Sequence, residues 1–242
     1  MTSTIRFSHV DPGSPIDGNK TYEDFVVAYW NWLLGPDADN YVQSPFNFDV
    51  VFMRTSIDYR FVVDGNGTVT RQNFSSGPNT AEINIRRNTP IFMAVLDTCY
   101  YSGYKDEFNH RPLNEEQMRR LCRRDNDNNS PTPSPPTIER EGDPASSRIN
   151  IVPSTIDFRM EIPVNGTFQL FLSDADLRNS KLVQKMEHLI LPDPGQQFDF
   201  QAVAVGYYVV VKIQDTGRYV IRNTAIGTNQ YTSNMVYTFS MQ

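Results

Sequence analysis

The hydrophobic and polar positions of the last forty-five residues repeat with a period of two. Between Phe198 and Ile213 two apolar sets interleave. Phe198, Phe200, Ala202, Ala204, Tyr208 and Val210 fall on one face, and Val203, Val205, Tyr207, Val209, Val211 and Ile213 on the other. A strand that is apolar on both faces is predicted in the middle of a sandwich. Asp215-Thr216-Gly217 reads as a turn, and residues 218–222 return as a strand. Met235, Tyr237, Phe239 and Met241 then alternate with Val236, Thr238 and Ser240, the pattern of a half-buried strand.

Upstream, the same period predicts strands over 49–54, 57–63, 68–74, 81–86, 91–97, 155–162 and 167–172, for about ten in all. Asp64-Gly65-Asn66-Gly67 is a hairpin signal, because both glycines tolerate positive φ. Asn165-Gly166 is read as a second turn of that kind. Three helices interrupt the strands. Thr21 and Asp24 form a capping-box pair ahead of Tyr22, Phe25, Val26, Tyr29, Trp30, Leu33 and Leu34 at helical spacing. Gly35-Pro36 stops that helix, predicted over 21–34. Asn114 caps a second helix with a narrow apolar stripe of Leu113, Met118, Leu121 and Cys122. Ser173 caps a third, faced by Leu177, Leu182, Val183, Met186 and Leu189. Residues 125–147 hold Asn-rich and Ser-Pro-rich runs with few apolar positions. They are predicted to be a long extended loop inserted in one β-sandwich domain spanning 1–242.

Composition narrows the function classes. The chain of 242 residues carries a net charge of −6, and such an acidic balance argues against coating nucleic acid. Arginines do cluster at Arg119, Arg120, Arg123 and Arg124, either as a solvated helix face or as an interface fork. No stretch reaches the roughly 18–20 apolar residues of a membrane span. The first ten residues lack the apolar core of a signal peptide. Two cysteines, Cys99 and Cys122, are too few for a disulfide framework and are expected to be reduced.

Candidate chemistry is sparse. His9, His110 and His188 show no metal-ligand spacing. Asp125, Asp127 and Asn129 imitate the start of a calcium loop. The imitation fails at Ser130, where glycine is needed, and at Pro136, where glutamate is needed. No phosphate loop, nucleophile elbow or zinc-protease helix is present, so neither a cofactor nor a catalytic residue is assigned. Asp97, Asp106 and His110 are read as surface positions. Tyr100, Tyr101 and Tyr104 follow an apolar strand and read either as a sugar-binding or subunit-contact loop, or as a lid folded back on the core.

Three segments carry a resemblance. They are Trp30-Asn31-Trp32-Leu33-Leu34, the run from Asn88 to Leu96 with the later Asn114-Glu115-Glu116-Gln117, and the run from Ala204 to Lys212. Together they resemble a set of small β-rich proteins of archaea, bacteria and large double-stranded DNA viruses. The lack of a signal peptide favours the virus-type relatives, single jelly-roll proteins that build or decorate icosahedral capsids. The resemblance implies an all-β, jelly-roll-like sandwich, and strand-rich sequence with long loops suits such a double sheet. It implies a capsid subunit of the virion, at the penton vertex or in the minor layer, and not an enzyme. The partners would be copies of itself in a pentamer and neighbouring capsid proteins. Tyr100, Tyr101, Tyr104, Trp30 and the four arginines are the interface candidates. Two alternatives stay open. One is a carbohydrate-binding module, cytoplasmic or secreted as a mature chain. The other is a hydrolase or isomerase that gathers carboxylates in a cleft.

Overall fold

The structure, a computed structural model, describes residues 5–34, 41–44, 46–53, 59–63, 69–73, 79–101, 113–129, 134–153, 159–170, 198–226 and 232–242. In chain order the first half holds β1 (Phe7–His9), α1 (Tyr22–Leu34), β2 (Val42–Gln43), β3 (Val50–Met53), β4 (Tyr59–Val63), β5 (Val69–Asn73), β6 (Asn79–Ile85) and β7 (Ile91–Tyr101). The second half holds α2 (Glu115–Asn129), β8 (Thr137–Arg140), a 3₁₀ turn (Ala145–Ser147), β9 (Ile149–Asn150), β10 (Arg159–Leu170), β11 (Phe198–Ile213), β12 (Gly217–Ile226) and β13 (Thr232–Met241).

The fold is a β-rich sandwich. A six-stranded sheet runs β1-β11-β7-β3-β2, with β10 sharing the β1 edge of β11. A five-stranded sheet runs β6-β13-β12-β8-β9, and β4 and β5 pair as a separate ribbon. Most pairs are antiparallel, but β3 runs parallel to β7 and β6 parallel to β13. Between the two large sheets lies a core that includes Met93, Val209 and Val211 from one side and Tyr219, Tyr237 and Phe239 from the other. Each such side chain contributes about 1.5–3 kcal/mol by leaving water.

The outer face of the first sheet is covered by α1. Its residues Phe25, Tyr29 and Trp32 pack on Phe52, Phe92, Tyr208 and Val210. Tyr29 lies 5.2 Å from Phe92 and Trp32 5.3 Å from Phe52, centroid to centroid. The predicted cap holds: the Thr21 amide donates to Asp24 Oδ2 at 2.8 Å. Asn114 and Gln117 cap α2 reciprocally, each amide donating to the other's side chain at 2.9 Å. Leu113, Met118 and Cys122 seat α2 on Val203 and Val205, at the far end of the inner sheet face. So residues 203–211 of β11 are buried on both faces, as the apolar sets there predict.

Two expectations are corrected. Asn165-Gly166 is not a turn: β10 runs straight through it, antiparallel to β11, with a register shift between Val164 and Phe168. The sixteen-residue β11 is long enough to template both predicted strands along one edge, which leaves Asn-Gly to form a bulge. Residues 125–147 are not one extended loop either. Asp125–Asn129 complete α2, and Thr137–Arg140 form β8 inside the five-stranded sheet, where Ile138 is fully buried opposite Ile221. A ladder partner and one apolar anchor outweigh the polar composition around them. The turn read at 215–217 leads into β12 as expected, and it carries the chain from one sheet to the other. The predicted third helix lies outside the described residues, which hold two α-helices.

Candidate functional site

A bulge in β7 creates the most unusual polar position. Tyr207 faces Leu96 and Tyr208 faces Ala94, so Val95 has no partner across the ladder. One extra residue reverses the alternation beyond it. Val95 and Leu96 both point into the inter-sheet core. Asp97 is thereby turned to the opposite face, where the Tyr208 hydroxyl donates to its Oδ2 at 3.3 Å. The bulge is held from across the sandwich. Asn223 of β12, fully buried, donates from Nδ2 to the Ala94 carbonyl at 3.2 Å. Its Oδ1 has no partner among the described residues.

Asp97 is therefore no surface carboxylate; it is 8% exposed. The Asp-Thr-Cys sequence after an apolar strand gives no hint of burial, because the inward turn depends on the bulge. Burial raises its pKa to about 7, against the smaller opposing effect of the Tyr208 hydrogen bond. Gly206 sits directly opposite on β11, and Met160 of β10 is next in the same cross-strand row. The row belongs to the sheet face under α1, which also holds Ala204, Tyr208 and Met160. Tyr22 braces that face at the strand's other end. Its hydroxyl donates to the Val10 carbonyl at 2.6 Å and accepts from the Val210 amide at 3.1 Å. Burial pushes the Tyr22 pKa upward, ahead of the Val210 bond, which lowers it.

Carboxylate chemistry by a pair needs a second acid nearby. Among the described residues the other buried acid is Glu139, in the other sheet. Glu139 is held by Arg148 at 2.6 Å and by Arg222 at 2.8 Å. Burial alone would raise its pKa, but the bonds from Arg148 and Arg222 win and lower it. Arg218 extends this outer polar face by pairing with Glu82 and Glu141. No group of three His, Cys, Asp or Glu residues is placed to hold a metal among the described residues.

The interface candidates scatter. Arg120, Arg123 and Arg124 are exposed on α2, whereas Arg119 is half-buried and paired with Glu115 one turn earlier. Trp30 is half-buried against the α1 cluster, its ring edge-on to Tyr29 at 5.8 Å. Its indole N–H has no hydrogen-bond partner among the described residues. Tyr100 packs on the cluster beneath α2. Tyr101 ends β7, and its side chain, like Tyr104, Asp106 and His110, lies outside the described residues. Cys122 is buried, with its thiol donating to the Val203 carbonyl at 3.0 Å. No helix among the described residues is long and apolar enough to cross a membrane.

Comparison with known protein families, curated protein sequences and solved structures finds no match.

Proposed function

We propose that the chain is a structural subunit that associates with copies of itself, in the specific form of a jelly-roll-like capsid component at a vertex or in a minor layer. The observation that carries the self-association is α2. Met118 and Cys122 clamp the helix to the sheet, so Arg120, Arg123 and Arg124 project from a fixed platform. The chain as a whole has a net charge of −6, so a second copy offers further carboxylates to this exposed arginine face. A ring built this way has heterologous contacts, one surface of each subunit meeting a different surface of the next. Five copies is the number the vertex reading requires.

The jelly-roll form is part of the proposal. Two face-packed sheets support it. The parallel pairs β3·β7 and β6·β13 are departures from an all-antiparallel jelly roll, and the proposal treats them as local strand additions. Sedimentation velocity across a micromolar concentration series tests the reading. The expected result is a concentration-dependent pentamer that Arg120→Glu with Arg123→Glu reduces to a monomer of unchanged melting temperature. A species that stays monomeric at every concentration, or a two-fold dimer indifferent to the two substitutions, would refute the ring.

A further inference from the structure

We propose that Asp97 is a pH-operated latch on α1: as a neutral acid it sits within the layer between helix and sheet, and as a carboxylate it loosens the helix from that face.

The geometry supplies the reason. The bulge at Val95 places Asp97 on the sheet face that α1 covers, in one row with Gly206 and Met160. The residues that α1 buries there are Tyr22, Phe25, Val26, Ala28, Tyr29 and Trp32. Tyr22 and Tyr29 are the titratable members of that set, and both are phenols. The charged residues of α1 turn elsewhere: Glu23 is exposed, and Asp24 caps the helix and pairs with Lys20. On β11 the same face carries Tyr208, whose hydroxyl already donates to Asp97, and Lys212. Lys212 is four residues further along, roughly 13 Å of strand, and it donates to the Ile16 carbonyl. Met160 of β10 adds an apolar side chain. Among the described residues no cation faces Asp97, and a single long hydrogen bond is a poor substitute for hydration. A charge formed there must recruit water, and α1 is the movable cover.

The sign follows from the two states. The folded pKa of about 7 lies above the unfolded value of 3.8. The folded form therefore holds the proton more tightly, and its advantage is complete below the unfolded value. That advantage is lost as pH rises through about 7. The docking of α1 should weaken over the same window.

The test uses the full chain. Hydrogen exchange of the amides of residues 22–34 and the emission of Trp30 and Trp32 are followed between about pH 5 and 9. The expected wild-type result is a loss of helix protection and a red shift in emission with a midpoint near 7. Asp97→Asn, a neutral isostere, should keep the low-pH protection at every pH. The infrared band of a protonated carboxyl should be present at pH 6 in the wild type and missing in Asp97→Asn. This second measurement stands even if the variant folds poorly. A wild-type chain without that band at pH 6, or a pH profile of α1 identical in Asp97→Asn, would overturn the latch.

Discussion

Replacing Gly206 by alanine attacks the contact that sets the β7–β11 pairing. A Cβ at this position would lie 2.5 Å from Asp97 Cβ, 2.6 Å from the Leu96 carbonyl oxygen and 2.7 Å from Asp97 Cα. Carbon atoms in good contact sit about 3.5–4.0 Å apart. Each approach is thus about 1 Å too short, and two of the three atoms belong to the backbone, which no rotamer change moves. The strands must separate, and they are the central pair of the six-stranded sheet. Overpacking costs about 1–3 kcal/mol where side chains can give way. Here the backbone must give way, so the expected loss is about 3 kcal/mol or more. For a chain of this size that corresponds to a fall of about 6–12 °C in melting temperature. Urea denaturation with calorimetry is the assay. Adding Asp97→Gly removes the first of the three contacts and leaves the other two, so the double variant should recover only part of the loss. A cost below about 0.5 kcal/mol with an unchanged denaturant slope would refute the register, and with it the bulge that turns Asp97 under α1.

Trp32→Ala should cost about 3–5 kcal/mol because the ring is buried against Phe52, and Trp30→Ala clearly less; equal losses in thermal melts would misplace the helix face. Glu139→Gln should cost about 1–2 kcal/mol, discounted because Arg148 and Arg222 are 39% and 32% exposed. Since folding lowers the Glu139 pKa from 4.5, its contribution is present above that pH and is lost as pH falls through the folded value. Wild type and variant should therefore converge in acid, and a constant gap down to about pH 2 would contradict the pairing. Asn223→Ala should cost about 1 kcal/mol by stranding the Ala94 carbonyl, partly offset by removing the unpartnered Oδ1. It should also shift the Asp97 carboxyl titration, and an unmoved titration would disconnect Asn223 from the bulge. The amide of Ile138 should exchange as slowly as that of its partner Ile221; fast exchange would return this segment to a loop.

Much of the scaffold was legible in side-chain order alone. The two apolar sets of β11, the alternation of β13, the cap pair Thr21-Asp24 and the cap Asn114 are local signals, set by the strand period and by hydrogen bonds between residues three apart. They needed no knowledge of distant partners. Helical spacing also put Arg120, Arg123 and Arg124 on one exposed face of α2, and left Arg119 one turn from Glu115, with which it pairs.

The tertiary structure decided everything that depends on a partner across space. Residues 137–140 became a strand because β12 offered them a ladder, against a Pro-rich composition that locally favours a loop. Asn165-Gly166 became a bulge because one long neighbour spanned it. Asp97 went under α1 because Val95 was squeezed out of register and Asn223, more than a hundred residues away, caught the Ala94 carbonyl. Period and capping are properties of a few consecutive residues, so the sequence by itself determines them. Register, bulges and the burial of a lone carboxyl are set by which strands meet, and only the folded chain brings those strands together.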